Sequence, residues 1–116
     1  MTNVDALMEL LRIPSVSTIH QGIDECAHKV EGLLSDAGFQ TQLIHTTGHP
    51  VVFGEKKGKS DKTLLFYDHY DVQPPDPLNE WESPPFEPEI RDNRLYARGV
   101  ADNKGNIMAR IEAVRG

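Results

Sequence analysis

A histidine between carboxylates follows the most apolar run of the sequence. In "LLFYDHYDVQ", His69 and Asp71 stand two residues apart, directly after the apolar residues 64–67. Alternate side chains of an extended strand point to the same side, so the Asp71 carboxylate can reach an imidazole nitrogen of His69. A carboxylate in that position fixes the tautomer of a metal-bound histidine. The alternative interpretation is a solvated acidic turn with an incidental histidine, and the pattern alone leaves both open.

A second candidate residue, Asp102, lies in the stretch "LYARGVADNKGN". Gly99 and Gly105 flank it and permit close backbone approach or unusual dihedral angles. The carboxylate of Asp102 therefore stands where an extended segment turns into a helix. The alternative role is plain N-capping, in which Asp102 or Asn103 accepts hydrogen bonds from the first amides of that helix.

Three helices are expected to flank these residues. Residues 3–12 and 22–37 carry apolar side chains at helical spacing, with a cap at Thr2 or Asn3 before the first and Gly38 after the second. The last helix is predicted over residues 103–116. One apolar stripe dominates the second helix and comprises Ile23, Cys26, Ala27, Val30, Leu33, Leu34 and Ala37.

Three strands are predicted between the second and the last helix, over residues 39–46, 50–56 and 62–70. The run "TLLFY" is apolar throughout, which is typical of a parallel strand covered on both faces. The predicted fold class is therefore α/β, a mixed sheet flanked by helices. His69 and Asp71 would then lie at the carboxyl end of a strand, where ligands of such sheets bind.

Most of the prolines fall in residues 73–88, which predicts an extended surface loop with Trp81 and Phe86 as anchors. Two P-x-x-P matches leave a polyproline ligand as an alternative. A short hairpin around Asp92 and Asn93 is expected next, because both residue types tolerate the positive φ of a tight turn.

Composition excludes several classes of function. The formal charge of the 116 residues is −6, with only 12 lysines and arginines, so a nucleic-acid partner is not expected. No stretch of about 18 apolar residues predicts a membrane span, and the first residues lack the features of a signal peptide. With one cysteine, Cys26, the chain is expected in the cytoplasm.

Other motifs are weaker. The stretch "GEKKGKS" is one residue short of a phosphate loop, and the acidic cluster after Asp68 lacks the glycine and glutamate of a calcium loop. No nucleophile motif of the Gly-x-Ser-x-Gly type is present. The remaining histidines are expected to be structural or surface residues: His20, His28, His45 and His49.

The two candidate segments together resemble a known family. The run "HYDVQPPDPLNEWESPPFEPEIRDNRLYARGVADNKGN", residues 69–106, and the opening "IPSVS", residues 13–17, are similar to the co-catalytic zinc exopeptidases and amidases. These include glutamate carboxypeptidase, carnosinase, acetylornithine deacetylase and succinyl-diaminopimelate desuccinylase, and the similarity is greatest to the dipeptidase-like branch.

The resemblance implies a site with two zinc ions, with cobalt or manganese as alternatives. His69 would ligate one ion, Asp102 would bridge both, and Asp71 would be the catalytic residue that orients His69. The peptide bond after Asp102 would be cis. The parent enzyme would hydrolyse a peptide or an N-acyl amino acid by means of metal-bound hydroxide.

The sequence departs from that family in two respects. Asp68 stands where glycine or asparagine is usual, beside His69. The Glu-Glu pair that supplies the general base and a zinc ligand is absent, and the chain ends at Gly116. We therefore expect residues 1–116 to be an incomplete N-terminal portion of the catalytic domain, with metal sites empty or partly filled and no hydrolysis by itself.

An incomplete sheet leaves a strand edge exposed, which predicts a homo-oligomer formed through that edge. The rival hypothesis for the whole chain is a non-catalytic interaction module. It would recruit a partner through the proline-rich loop and the open sheet edge.

Overall fold

The computed structural model describes residues 2–115. The helices are α1 (Asn3–Leu11), α2 (Ile23–Asp36) and α3 (Gly105–Arg115), and the strands are β1 (Gln40–Ile44), β2 (Val51–Glu55), β3 (Glu89–Arg91) and β4 (Arg94–Tyr96). Short helical turns lie at Ser17–Ile19, Leu78–Glu80 and Val100–Lys104. The expected combination of helices and strands is confirmed. None of the helices in the described residues is long and apolar enough to cross a membrane.

The first two helices begin as their sequences predict. The Thr2 side chain accepts a hydrogen bond from the Asp5 amide while the Asp5 carboxylate accepts from the Thr2 amide, a capping box. Gly22 precedes α2 with a φ of 72°, a conformation that glycine adopts without steric cost. The core lies between α1, α2 and α3, and its buried members are Leu10, Ile13, Cys26, Val30, Leu33, Ala37, Ile107, Met108 and Ile111.

Strands β1 and β2 form an antiparallel pair that packs against α2. Alternation along the strands places Leu43 opposite Val52 on the half-buried face. The other face is exposed and includes Ile44, Val51 and Phe53. Helix α2 therefore covers only one face of this sheet.

The expected central strand over residues 62–70 is not a strand of any sheet in the described residues. Its apolar side chains are exposed, Leu64 by 78%, Leu65 by 84% and Tyr67 by 85%. The prediction of a strand covered on both faces was therefore wrong for this segment. A continuous apolar run indicates a segment that needs cover on both faces. The two sheets of the described residues are instead antiparallel pairs formed elsewhere in the chain.

The hairpin β3–β4 is confirmed, and its turn residues Asp92 and Asn93 have φ angles of 50° and 63°. The preceding proline-rich loop has no strand, as expected. Trp81 is half-buried, and its indole Nε1–H donates to the carbonyl of Pro75 at 2.8 Å. Trp81 thus acts as the expected anchor of this loop.

The last helix starts two residues later than predicted, at Gly105 rather than 103. Residues Val100–Lys104 instead form a wide turn that leads into α3, and Asp102 within it has non-helical dihedral angles. Asp102 is therefore not part of a regular helix, and the side chains of Asp102 and Asn103 contact His69 rather than the first amides of α3.

Candidate metal centre

The two predicted ligands meet. The imidazole Nε2 of His69 lies 2.9 Å from Oδ1 of Asp102, although the residues are 33 positions apart. The Asp102 side chain is 78% exposed and that of His69 is 40% exposed, so their meeting point is open to solvent. A nitrogen and a carboxylate oxygen thus converge at one accessible position.

Asp71 lies on the other side of the same imidazole ring. Nδ1 of His69 is 3.0 Å from the Asp71 carbonyl oxygen and 3.3 Å from its carboxylate Oδ1. Burial alone would lower the pKa of His69, but hydrogen bonds to the Asp71 backbone and the Asp102 carboxylate raise it above its usual value. Acceptors on both sides of the ring hold it in one orientation.

The chain just after His69 is attached to the loop between α1 and α2. The Val72 amide donates to the Ser15 carbonyl at 2.9 Å, and the Ser17 amide donates to the Val72 carbonyl at 3.1 Å. The hydroxyl of the fully buried Ser15 donates to the Tyr70 carbonyl at 2.9 Å. The "IPSVS" loop therefore fixes the backbone on both sides of Asp71.

The turn that carries Asp102 is attached to the core by its last residue. Lys104 is fully buried, and its ammonium donates to the carbonyls of Leu10 at 3.1 Å and Ile13 at 2.6 Å. Burial lowers the pKa of Lys104 below its ordinary value. The peptide bond between Asp102 and Asn103 is cis, as the resemblance implied.

Sequence reasoning missed two residues that contact the His69 segment. Oδ1 of Asn103 accepts a hydrogen bond from the His69 amide at 3.2 Å, and Arg110 on α3 contacts Asp68 at 2.7 Å. Asn103 follows Asp102 directly, so its position was a usable signal. Nothing in the sequence indicates Arg110, because its partner lies 42 positions away.

No cluster of three or more histidine, cysteine, aspartate or glutamate side chains in residues 2–115 could hold a metal ion. Among the other histidines, His20 and His49 pack edge to face with ring centroids 4.7 Å apart. Their rings are packed against each other rather than directed at a common point. Within the described residues, the candidates for metal ligands remain the pair His69 and Asp102, which meet at 2.9 Å.

The pair fits a zinc site in its donor types, since imidazole nitrogen and carboxylate oxygen are ordinary zinc ligands. The contact of Nδ1 with Asp71 supplies the outer partner that a metal-bound histidine usually has. The exposure of Asp102 leaves its second oxygen accessible. These features match the chemistry expected of part of a metal centre.

Comparison with known proteins agrees with the geometry. The model of peptidase family M20/M25/M40 matches residues 65–116, which include His69, Asp71 and Asp102. The crystal structure of a family M20 metallo-carboxypeptidase, Sso-CP2 from Sulfolobus solfataricus, superposes with a TM-score of 0.95 at 44% identity over 99% of the chain. The chain belongs to peptidase family M20/M25/M40.

Further M20 proteins are also similar to nearly the whole chain. The succinyl-diaminopimelate desuccinylase of Methylococcus capsulatus is 39% identical over 97% of the chain, and human carnosine dipeptidase 1 superposes with a TM-score of 0.78 at 28% identity over 97% of it. The chain spans 29% of the desuccinylase, 26% of the carboxypeptidase and 27% of the dipeptidase. It thus corresponds to less than a third of these M20 proteins.

Proposed function

We propose that this chain contributes the first metal ligands of a zinc-dependent peptidase or N-acyl-amino-acid amidohydrolase. The observation that carries the proposal is the contact of His69 Nε2 with Asp102 Oδ1, combined with the contact of Nδ1 with Asp71. Residues 1–116 are the N-terminal portion of the catalytic domain. Peptides or N-acyl amino acids are the substrates, in keeping with the names of the M20 relatives.

Each residue has a definite task in this proposal. Asp71 accepts from Nδ1–H, so the lone pair of Nε2 would bind a metal in place of the proton that Nε2 shares with Asp102. Asp102 would be the residue shared by the two ions. When bound, two zinc ions would polarise the scissile carbonyl and lower the pKa of a water molecule. A catalytic zinc ordinarily has three protein ligands, so His69 and Asp102 form part of the set.

The chain should bind zinc at this position. We expect addition of zinc to shift the NMR signals of the His69 ring, and His69→Ala or Asp102→Asn to weaken binding more than about 100-fold, since outer partners alone contribute about 10–100-fold. An isothermal titration with zinc measures the affinity. His45→Ala and Asp61→Asn, both at exposed positions, are the matched controls and should bind like the wild type. Equal affinity of all five proteins would refute the assignment.

Hydrolysis requires the residues that complete the site. We expect co-expression of this chain with the uncovered part of the Sulfolobus carboxypeptidase to yield zinc-dependent hydrolysis of a peptide or N-acyl amino acid. The same mixture with His69→Ala should be inactive, and the mixture with His45→Ala should be active. An assembled complex that binds zinc but cleaves neither substrate class would reject the proposed reaction.

The rival hypothesis of a non-catalytic interaction module has less support, because the relatives named above are enzymes by name. The cytoplasm is the proposed compartment, in line with the free, buried thiol of Cys26.

We also propose that the chain self-associates through residues 62–70. Leu64, Leu65 and Tyr67 of this segment are exposed, and no strand of the described residues pairs with it. Antiparallel pairing with a second copy, centred on Leu65, would place the exposed apolar runs of the two copies side by side.

Substitution of the central residue tests this pairing. We expect the wild type to elute as a dimer or larger species in light-scattering chromatography and Leu65→Lys to elute as a monomer, because a charge at the edge opposes strand pairing. Leu78→Lys, an exposed leucine of the proline-rich loop, is the control and should leave the mass unchanged. A monomeric wild type at high concentration would contradict the proposal.

A further inference from the structure

Arg110, on α3, makes three contacts with the chain just before His69. Its Nη1 donates to the Tyr67 carbonyl at 3.1 Å and to Oδ1 of Asp68 at 2.7 Å. Its guanidinium also lies over the Phe66 ring, 5.5 Å from the centroid. A single helical side chain thus contacts three consecutive residues that lead into the candidate ligand.

The residues before His69 and the residues after it are attached to the rest of the structure by different contacts. The following residues are bound to the "IPSVS" loop through Tyr70 and Val72. The preceding residues 62–67 pair with no strand of the described chain. On that side, the Arg110 contacts are what ties the backbone to a helix of the core. Without them, His69 would be held only by the residues that follow it and by the hydrogen bond that its own amide donates to Oδ1 of Asn103.

Asp68 is oriented for this contact rather than for a metal. Adjacent side chains of an extended segment point to opposite sides, so Asp68 faces away from the His69 imidazole and toward α3. Its side chain is 16% exposed, whereas that of Asp102 is 78% exposed. The Asp68 carboxylate is covered and engaged by Arg110, and it does not join the solvent-accessible meeting point of His69 and Asp102.

We propose that Arg110 is a positioning residue that holds His69 against Asp102 from α3, with Asp68 as its anchor and not as a metal ligand. The inference rests on the proposed zinc site, since positioning matters through the ligand that is positioned. The negative charge of Asp68 beside His69 then has a structural partner in Arg110. It steadies the ligand through Arg110 instead of adding to the charge of the metal centre.

An isolated surface ion pair contributes little, because solvent screens it and two flexible side chains must be ordered. The Arg110 arrangement differs, since one guanidinium also binds a main-chain carbonyl and covers an aromatic ring. A backbone contact transmits directly to the neighbouring residue. The inference therefore predicts a local effect at His69 and not only a small change of overall stability.

Zinc titration of the 116-residue chain gives the first test. We expect Arg110→Gln to weaken zinc binding about tenfold, the lower end of the effect of outer partners of a metal site. Arg115→Gln removes the same charge from the same helix but disrupts a pair with Glu112, so it should bind zinc like the wild type. Equal affinities for Arg110→Gln and Arg115→Gln would overturn the inference.

The role of Asp68 is tested by two substitutions. Asp68→Asn keeps an oxygen that can accept from Arg110 and should stay within about threefold of the wild type, whereas Asp68→Ala should resemble Arg110→Gln. If Asp68→Asn loses as much affinity as Asp68→Ala, the carboxylate charge matters at the metal. That result would reject the role of anchor.

Amide hydrogen exchange tests the positioning without any metal. We expect Arg110→Gln to accelerate exchange at the His69 amide, which donates to Asn103, while the amide of Val30 in α2 stays as protected as in the wild type. Equal acceleration at both amides would indicate a general loss of stability and would contradict the inference. If the wild type binds no zinc, the proposed function fails, and the exchange result still decides the role of Arg110.

Discussion

Gly105→Ala should lower the free energy of unfolding by about 3 kcal/mol, the upper end of the usual cost of overpacking. Alanine in a helix is ordinarily more stable than glycine, and Gly105 has helical dihedral angles, so propensity alone predicts the opposite sign. A Cβ at position 105, however, would meet the carbonyl oxygen of Val100 closer than real Cβ atoms approach any atom. Urea unfolding measures the change.

The helix α2 supplies the matched control. Gly32 is exposed, and a Cβ placed on it has no neighbour within 4 Å. Gly32→Ala should therefore raise the free energy of unfolding by about 0.5–1 kcal/mol. The two substitutions are chemically identical, so their opposite signs isolate the packing of the turn. A stabilising Gly105→Ala would show that the Val100 carbonyl moves aside at little cost.

The same substitution should also disturb the candidate metal centre. The carbonyl of Val100 accepts from the Gly105 amide, which closes the turn that carries Asp102. Displacement of that carbonyl moves the turn, and Asp102 moves with it. The two glycines flanking Asp102 thus have different tasks. Gly99 adopts a φ of 90° before the turn, whereas Gly105 leaves space for a carbonyl after it.

Local sequence patterns were sufficient to predict the elements that depend on residues close together in the sequence. The cap at Thr2, the apolar stripe of α2 and the turn at Asp92 and Asn93 each depend on residues only a few positions apart. The residues that indicate each of these elements in the sequence are therefore also the residues that stabilise it. These elements were predicted to within a few residues.

The strand predicted for "TLLFY" was wrong because a strand covered on both faces depends on residues far away in the sequence. A continuous apolar segment needs cover on two faces, and sequence periodicity cannot say which residues supply that cover. In the described residues, Leu64, Leu65 and Tyr67 are exposed. The chain spans less than a third of the relatives it matches, and no strand of the described residues pairs with this segment.

The residues that meet at the candidate site were predictable from the sequence, but the residues that support them were not. The two-residue spacing predicted that the Asp71 carboxylate reaches the His69 ring, and it lies 3.3 Å away although the segment is not a strand. The convergence of His69 with Asp102 was expected from the family resemblance. The supports, Arg110 and Lys104, are long cationic side chains whose partners lie far away in sequence. A lone lysine or arginine in a helix gives no signal of such a contact, since most of them are solvated.

Lys104→Ala should lower the free energy of unfolding by about 4 kcal/mol, because two effects add. The fully buried side chain leaves a cavity between α1 and α3, and the carbonyls of Leu10 and Ile13 lose a charged donor. Leu10 lies in the last turn of α1, where its carbonyl also accepts from the Ile13 amide at 3.3 Å, and Ile13 lies just beyond the helix. Lys57→Ala, at an exposed position, should change stability by less than about 0.5 kcal/mol.

Lys104→Met separates the two effects, since methionine restores the volume of the stem without a donor. It should recover about half of the lost free energy of unfolding, measured in urea at neutral pH.

The contribution of Lys104 to stability should depend on pH with a definite sign. Burial lowers the pKa of Lys104 in the folded chain below 10.5, so the unfolded chain binds more protons between the two pKa values. The contribution of this lysine therefore rises with pH across that window, and Lys104→Met should abolish the rise. Parallel stability profiles of the wild type and Lys104→Met would refute the lowered pKa, and an unchanged stability of Lys104→Ala would refute the structural role of the buried ammonium.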